Sequence, residues 1–564
     1  MVSRVTVPLS RRNLLKLGGA AAAVGTLGFR PGKSFADGDS RPANVKQPDR
    51  GGTFRIRMAQ SPAHFDPHQT AAYSTMMPLS FAYSRLVMIK PGSTIVPGTQ
   101  PLDIDLAQSW DRVGDTVYVF RLRPGVKWHP KPPVNGRELT ADDVKYTYDR
   151  FLATKGNPNR TVLDMVDKVE APDKYTVKFT LKEPNAWFVD RLASTSTWII
   201  ARECVEKYGD LKKWESVVGT GPWMLERYEP GARLSFVRNP NCFYPQLPYV
   251  DSVELTIIPD SNAAFAAFLA RKLDFGPEYG MTIRRGDIAA AKKRLGHWWL
   301  PLPTREFLVP SGRIIAMKLD QDPLKDVRVR RAIATADNWH EILEHNPLAQ
   351  GKGAPDAVIP AALKDWSVPI KDLPPEGQKL YEPLDPAGAR QLLTAAGHPS
   401  GIKIPVETTA GYGPEWMDAV QVTLKNWKAA GIEAELKVQD YGAFVSSSVY
   451  GKFDKMMLAE RDGATDPDSY LAALLPGDPL NASGVNDPKL TEMIKRQRRT
   501  FKDSARRDIV YDIQRYCSQQ VYYACGPSPS VVAAWMPYVT VFGPNIGPDY
   551  GGRLMSAWID KSFQ

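Results

Sequence analysis

The chain has 564 residues, of which 43% are hydrophobic and 24% are charged, and its formal net charge is +10. A chain of this length is longer than one hydrophobic core usually serves, so we predict two or more lobes. Six basic residues and no acidic residue fall within positions 1–36, which leaves 66 basic against 62 acidic residues in the rest of the chain. This balance argues against a broadly basic surface, and we expect neither nucleic acid nor an anionic membrane as a partner.

The first 36 residues have the form of a twin-arginine export signal. Ser10-Arg11-Arg12-Asn13-Leu14-Leu15-Lys16 is followed by an apolar stretch at 17–29 and a processing site at Ser34-Phe35-Ala36. The stretch is shorter than the ~20 apolar residues that span a bilayer, and no cysteine directly follows it to accept a lipid. We therefore predict that residues 1–36 are removed and that a soluble periplasmic protein is released, with 37–50 as a flexible leader.

The first half of the chain predicts strands joined by marked turns. Alternation of apolar and polar residues predicts strands over 51–58, 116–123 and 174–181. Thr140-Ala141-Asp142-Asp143 resembles a capping box with Asp at its fourth position, and apolar residues recur after it at helical spacing.

After about residue 310 the pattern changes to alternating helix and strand. Asp385-Pro386 predicts an N-cap followed by proline at the first helical position, and Gly397 ends that helix. A strand at 402–407, a helix at 419–430 and a strand at 432–438 follow. This order implies a crossover unit and a largely parallel sheet in the second half.

The four cysteines are Cys204, Cys242, Cys517 and Cys525. An oxidising compartment permits disulfides, and four thiols allow three pairings. Pairing Cys204 with Cys242 and Cys517 with Cys525 is the most local choice, although spacing alone does not establish it. None lies in a Cys-x-x-Cys motif, so we predict neither a zinc site nor redox chemistry.

Ordered segments along the chain resemble one known family. They are Leu106-Ala107-Gln108-Ser109-Trp110, the run 118–129 around Arg123-Pro124-Gly125, Leu139 to Val144, Gly219-Thr220-Gly221-Pro222-Trp223, Arg238-Asn239-Pro240-Asn241, Asp326 to Ile333, 385–397, and Asp466-Pro467-Asp468 with Tyr470. In this order they resemble the extracytoplasmic solute-binding proteins of ABC importers, in the class that includes dipeptide-, oligopeptide- and nickel-binding proteins.

The resemblance implies an α/β fold, a two-lobed periplasmic-binding-protein clamp of type II-like form with an extra subdomain in lobe one. Lobe one is expected over 51–310, with the inserted subdomain at roughly 86–215. Lobe two is expected over 311–520, and residues 521–564 return to lobe one. The chain then crosses twice between the lobes, which makes a natural hinge for closure on a ligand.

The resemblance also implies function. We expect a monomeric binding protein that needs no cofactor, captures a peptide or similar small polar organic solute, and delivers it to a membrane permease with a separate ATPase. The alternatives are an oligosaccharide or metal chelate as ligand, an exported hydrolase, and a role in reporting the ligand to a membrane receptor.

One segment departs from the peptide-binding relatives, in which an Asp four residues before the Asp-Pro proline holds the ligand's ammonium group. Gly463 occupies that place here, which puts a peptide ligand in question. Glu460 and Asp462 suit a cationic ligand, whereas Arg461 suits a carboxylate or phosphate. These residues are the leading candidates for ligand contact. Further cleft candidates are Tyr73, Trp187 and Trp223.

Enzyme motifs do not form in the sequence. His340 and His345 are five residues apart, whereas zinc ligation from one helix face needs a spacing of four. The chain has no Gly-x-Ser-x-Gly elbow and no phosphate-binding Gly-Lys-Ser/Thr loop. We therefore predict no catalytic residues and no metal ligands.

Overall fold

The structure, a computed structural model, describes residues 46–296, 301–310, 313–382, 384–460, 464 and 466–563. The strands in chain order are β1 Thr53–Met58, β2 Val87–Ile89, β3 Leu102–Ile104, β4 Ala107–Val113, β5 Val117–Leu122, β6 Val166–Asp173, β7 Thr176–Leu181, β8 Trp223–Glu229, β9 Arg233–Arg238, β10 Ser252–Ile257, β11 Thr282–Ile283, β12 Thr304–Leu308, β13 Arg313–Met317, β14 Gly353–Ala354, β15 Ile402–Thr409, β16 Ile432–Gln439, β17 Met456–Glu460, β18 Tyr523–Cys525, β19 Ser528–Ala534, β20 Val539–Thr540 and β21 Trp558–Ile559.

The α-helices of the described residues lie between and beside these strands. They are α1 Tyr73–Ala82, α2 Ala141–Ala153, α3 Phe188–Leu192, α4 Arg202–Tyr208, α5 Ser261–Leu269, α6 Ile288–Leu295, α7 Val327–Thr335, α8 Trp339–His345, α9 Pro375–Gln378, α10 Pro386–Ala395, α11 Pro414–Ala429, α12 Tyr441–Ser446, α13 Pro467–Ala472, α14 Pro488–Arg498, α15 Asp503–Gln520 and α16 Tyr550–Leu554.

Lobe one contains two four-stranded sheets. The first has the order β1-β10-β9-β8, in which β1 and β10 run parallel and the other neighbours run antiparallel. The second, β4-β5-β7-β6, is antiparallel throughout and packs against α2. The predicted capping box forms, since the Thr140 side chain and the Asp143 carboxylate each accept from the other's backbone N–H.

The Gly219-Thr220-Gly221-Pro222 loop packs directly against the end of α1. A Cβ added to Gly219 would lie 1.9 Å from the Ala82 carbonyl oxygen, so only glycine fits there. His129 fastens the loop from the other side: its Nδ1 accepts from the Gly219 N–H at 3.1 Å, and its Nε2 donates to the Gly221 carbonyl at 3.1 Å. Burial lowers the pKa of His129 to about 3, so the ring is neutral, as this bonding pattern requires.

The second half forms one five-stranded sheet of order β16-β15-β17-β13-β18. The crossover unit β15-α11-β16 is present, and β15 runs parallel to both β16 and β17. The sheet is mixed, however, because β13 pairs antiparallel with β17 and with β18; the prediction of a largely parallel sheet was wrong on that side. Helix α11 begins at Pro414, five residues before the predicted start, since Gly413 at φ 102° and a proline at the first turn open it there.

The two halves are joined by a pair of crossing strands. Strand β12 leaves lobe one towards β13, and β19 returns from β18; the two pair antiparallel from Thr304 opposite Ala534 to Leu308 opposite Ser530. Because β18 still pairs with β13, the chain leaves the second sheet after Cys525 rather than at 521. Among the described residues this antiparallel pair is the main-chain connection between the two lobes.

The four cysteines, all among the described residues, form no disulfide, so neither local pairing is made in this structure. Cys204 is fully buried and Cys517 is 8% exposed. Burial raises the pKa of Cys204 and of Cys242 to about 12, which keeps both thiols protonated.

Replacing Gly219 by alanine is expected to destabilise the fold severely, because the new methyl group overlaps the Ala82 carbonyl oxygen. We expect a loss of at least ~3 kcal/mol, measured as a large drop in the apparent Tm of the mature protein. Gly286→Ala is the matched control, since its Cβ meets only the end of the Gln350 side chain at 3.3 Å. Equal Tm values for the two variants would contradict the close approach.

The buried carboxyl group of Asp105 is expected to make the stability of the fold depend on pH. Its carboxylate is 5% exposed and accepts from the Arg85 N–H at 2.8 Å and the Tyr244 hydroxyl at 2.7 Å. Burial raises the pKa of Asp105 from 3.8 to about 6, so between these values the unfolded chain ionises Asp105 while the folded chain keeps it protonated. Its contribution to stability therefore falls as the pH rises from about 4 to about 6.

Asp105→Asn removes this titration. The difference in stability between wild type and variant should shrink by about 3 kcal/mol between pH 4 and pH 6 and stay constant above that window. Thermal melts of both proteins across pH 4–8 measure it. A difference that does not change with pH would show that Asp105 titrates normally.

Candidate functional site

Three tyrosines from distant parts of lobe one form one wall of a candidate cleft, which we call the tyrosine platform: Tyr73, Tyr279 and Tyr550. The Tyr73 hydroxyl donates to the Tyr550 hydroxyl at 3.0 Å, and the Tyr550 hydroxyl donates to the Tyr279 carbonyl oxygen. The Tyr73 ring stands edge-on to both other rings, with centroids 6.3 Å away in each case.

The platform presents ring surface to solvent. Tyr279 is 63% exposed and Tyr73 is 38% exposed, whereas Tyr550 is buried beneath them. Tyr279 adopts a φ of 47°, an uncommon conformation for a residue with a side chain, and the bond from Tyr550 to its carbonyl oxygen holds it there. The surrounding protein desolvates the Tyr73 hydroxyl and raises its pKa well above 10, so the hydroxyl keeps the proton that it donates.

The opposite wall belongs to lobe two and combines aromatic rings with carboxylates. Tyr412 stands edge-on to Trp416 at 5.3 Å and to Tyr441 at 5.7 Å, and the Tyr441 ring is 49% exposed. The Tyr412 hydroxyl donates to the carbonyl oxygen of Glu460 at 3.3 Å. Glu460 ends β17 and is exposed.

A carboxylate of lobe two lies near the platform. The pKa of Tyr279 is raised, mainly because the surrounding protein desolvates its hydroxyl and next by the negative charge of Glu460 in lobe two, with a smaller effect from Glu415. A like charge disfavours ionisation mainly from nearby, so Glu460 lies close to the Tyr279 side chain.

The residues predicted to contact the ligand lie in different environments in the structure. Tyr73 lies on the platform and Glu460 on the opposite wall, whereas Arg461, Asp462 and Gly463 lie outside the described residues. Trp223 is fully buried, donates from Nε1 to the Val250 carbonyl at 3.2 Å and packs edge-on against Phe81. We no longer assign it to the ligand site, because it has no exposed surface.

Trp187 is also buried, at 2% exposure, and it packs between lobe one and the helices of 466–520. Its Nε1 donates to Gln497 Oε1 at 2.7 Å and its ring stands edge-on to Trp366 at 4.7 Å. A direct contact with ligand is therefore not available to it in this conformation.

Sequence reasoning missed Tyr279, Tyr550, Tyr412 and Tyr441. The first two lie at the end of a loop and at the start of a short helix, and no motif marks them. Tyr412 follows β15 and lies just before α11, and Tyr441 follows β16 as the first residue of α12. Residues at that end of parallel strands meet along one edge, and this signal would have found the second pair.

The described residues show no arrangement for metal chemistry. No group of three or more His, Cys, Asp or Glu side chains within the described ranges is placed to hold a metal ion. Glu341, between His340 and His345 on α8, instead accepts from Lys425 and from Asn426 at 3.0 Å. Over the same ranges, no helix has both the length and the apolar character needed to cross a membrane.

Two lobes joined by a pair of crossing strands define a clamp-shaped fold. Residues 102–481 match the family described as bacterial extracellular solute-binding proteins, family 5 (middle). That match covers more than half of the chain, and the chain belongs to this family. Residues 8–28 match the signal sequence of the twin-arginine translocation pathway, so the predicted export to the periplasm is confirmed.

Known proteins agree with this assignment. Over 499 residues the chain is 29% identical to di/tripeptide-binding protein 3 of Pseudomonas aeruginosa, which covers 82% of this chain and 86% of that protein. A periplasmic binding protein of Helicobacter pylori in complex with the peptide STSA matches the fold with a TM-score of 0.73 at 20% identity, covering 91% of this chain and 99% of that one.

A binding protein from A. tumefaciens R10 in complex with agropinic acid also has this fold, with a TM-score of 0.72 at 20% identity over 90% of this chain and 99% of that one. The predicted fold class, a two-lobed α/β clamp, is confirmed. The predicted class of protein is confirmed too: a periplasmic solute-binding component of an ABC importer.

Proposed function

We propose that the protein captures a short peptide or a peptide-like organic solute between the tyrosine platform and the lobe-two surface of Tyr412, Tyr441 and Glu460, which we call the Glu460 wall. The protein then hands the solute unchanged to a membrane permease whose ATPase is a separate subunit. The observation that carries this proposal is the pairing of an exposed aromatic wall with a carboxylate wall across one cleft. The peptide ligand named for the Pseudomonas aeruginosa relative supports the same class.

The mechanism is a shift between open and closed populations. A solute that touches both walls makes all its contacts only when the lobes are closed, so binding stabilises the closed state by the difference in affinity between the two states. The crossing strands β12 and β19 provide the hinge, and no chemical step on the solute is needed.

A thermal-shift screen of the mature protein tests the ligand class, using di- and tripeptides, agropinic acid, oligosaccharides and nickel chelates. A peptide at ~100 times its Kd adds about 2.7 kcal/mol to the native state, which moves the Tm visibly. We expect a shift with peptides and recovery of the peptide intact by mass spectrometry. A shift produced by oligosaccharides or chelates alone would contradict the ligand class, and a cleaved peptide would contradict transport without chemistry.

Tyr279→Ala tests the aromatic wall with whichever screened compound gives the largest shift. Removing the exposed ring should raise its Kd about tenfold, because an aromatic contact contributes ~1 kcal/mol beyond simple burial. The apo Tm should change little, since the Tyr279 ring is 63% exposed. Phe563→Ala is the matched control: Phe563 is an exposed aromatic residue, 42% accessible, that touches neither wall.

The sequence segment that follows Glu460 remains a predicted contact. Arg461→Ala should weaken binding of the same compound while leaving the apo Tm nearly unchanged. Titration calorimetry measures the affinity, and an unchanged Kd would remove Arg461 from the site.

A further inference from the structure

We propose that Glu278, through its buried ion pair with Arg57, is a positioning residue for ligand binding: it holds the turn that presents the Tyr279 ring on the tyrosine platform. This inference rests on the proposed function for the statement that a solute contacts Tyr279. How the turn is held follows from contacts within lobe one alone.

Residues 278–282 form a tight turn with Tyr279 at its tip. The Thr282 N–H donates to the Glu278 carbonyl at 2.8 Å, and the Glu278 N–H donates to the Thr282 carbonyl at 2.8 Å. Between them, Tyr279 has a φ of 47° and Gly280 a φ of 70°. Two successive residues with positive φ are the requirement of a type I′ turn, in which glycine, asparagine and aspartate predominate. Because tyrosine is disfavoured there, the turn depends on contacts that fix the residues around its tip.

The Glu278 side chain supplies such contacts directly before the tip. Its Oε2 accepts from Arg57 Nη1 at 3.1 Å and from Ser261 Oγ at 3.2 Å, and its Oε1 lies 3.2 Å from Arg284 Nε. Glu278 is 8% exposed and Arg57 is 4% exposed. Loss of the carboxylate would therefore leave the buried charge of Arg57 without its partner.

Arg57 ties this carboxylate to the first sheet of lobe one. It lies on β1, and its Nε donates to the Ile258 carbonyl at 2.8 Å and its Nη2 to the Pro259 carbonyl at 2.9 Å, just after β10, the parallel neighbour of β1. Its Nη1 also donates to the Pro277 carbonyl at 3.0 Å. One guanidinium thus joins the end of β10 to both residues that precede Tyr279.

The Tyr279 ring depends on this backbone for its place. The ring is 63% exposed, so most of its surface makes no packing contact that could fix it. Its carbonyl oxygen accepts from the Tyr550 hydroxyl on one side of the turn tip, and Glu278 holds the chain on the other. Removing the Glu278 carboxylate should loosen the turn without removing any atom of Tyr279.

Hydrogen–deuterium exchange of the ligand-free mature protein tests the hold on the turn. In Glu278→Ala, the backbone bonds that close the turn should open more often, so a peptide covering 278–283 should exchange about tenfold faster than in wild type. Wild-type exchange in this peptide would overturn the proposal.

Asp274→Asn is the matched control. Asp274 is fully buried and accepts from the Arg55 N–H at 2.6 Å and from Arg55 Nη2 at 2.7 Å, so it joins the same strand β1 to the same segment, four residues before Glu278. We expect a lower apo Tm but wild-type exchange in 278–283. Acceleration there equal to that of Glu278→Ala would overturn the assignment, because any loss of stability in this region would then free the turn.

A double-mutant cycle tests the effect on binding, with the di- or tripeptide that gives the largest thermal shift as the probe. Because Glu278 acts through Tyr279, Glu278→Ala should raise the Kd about fivefold in the wild-type background and less than about twofold in the Tyr279→Ala background. Titration calorimetry measures all four proteins. An unchanged Kd in the first background, or an equal increase in both, would overturn the positioning role. Asp274→Asn should bind with the wild-type Kd.

Ser261→Ala serves if Glu278→Ala does not fold. It removes one donor to the Glu278 carboxylate and should accelerate exchange in 278–283 about threefold; wild-type exchange there would overturn the proposal. A screen in which no peptide binds would reject the proposed function, and the exchange measurement would still confirm or overturn the hold of Glu278 on the turn.

Discussion

The antiparallel pair of β12 and β19 is the constraint on which the rest of the structure depends. A chain of this length does not fill one core, and its second sheet is built from residues 313–525 inserted between these two strands. Both strands run between the two sheets, so the second sheet is linked to the rest of the chain through this pair.

The tyrosine platform forms because three segments that are distant in sequence pack together in lobe one. Tyr73 starts α1, Tyr550 starts α16, and these two helices pack together so closely that a Cβ on Gly551 would lie 1.9 Å from the Ser80 carbonyl oxygen. That contact places the two hydroxyls 3.0 Å apart. The loop carrying Tyr279 is then fixed by its carbonyl oxygen, so three segments more than 200 residues apart in sequence meet on one surface.

Local signals in the sequence predicted much of the fold. The capping box at Thr140, the Asp385-Pro386 helix start and the alternating strands all formed as expected because each depends on neighbouring residues. The mixed direction of the second sheet was missed, since the pairing of β13 with β17 and β18 joins segments about 140 and 210 residues apart, and no local pattern encodes it.

The candidate site was harder to predict for the same reason. Tyr73 and Glu460 were among the predicted contacts, but the buried positions of Trp187 and Trp223 depend on packing with Trp366 and Phe81, which are far away in sequence. The local sequence around an aromatic residue in a loop does not distinguish a residue that is buried in a core from one that faces a ligand. The family motifs marked positions where close backbone packing requires a particular residue, as at Gly219 and Gly221. They did not mark the residues that form the cleft walls.

The hydrogen bonding of the platform limits what it offers a ligand. The Tyr73 hydroxyl donates to the Tyr550 hydroxyl, and the Tyr550 hydroxyl donates to the Tyr279 carbonyl oxygen, so this wall presents mainly ring surface. In the proposed binding mode polar recognition comes from lobe two, where Glu460 and Glu415 lie near the Tyr279 side chain. A solute satisfies both requirements only when the lobes are closed around it, with an apolar face towards lobe one and its polar groups towards lobe two. In the proposed binding mode a solute contacts both walls only in the closed state, so the selectivity that we propose belongs to the closed state.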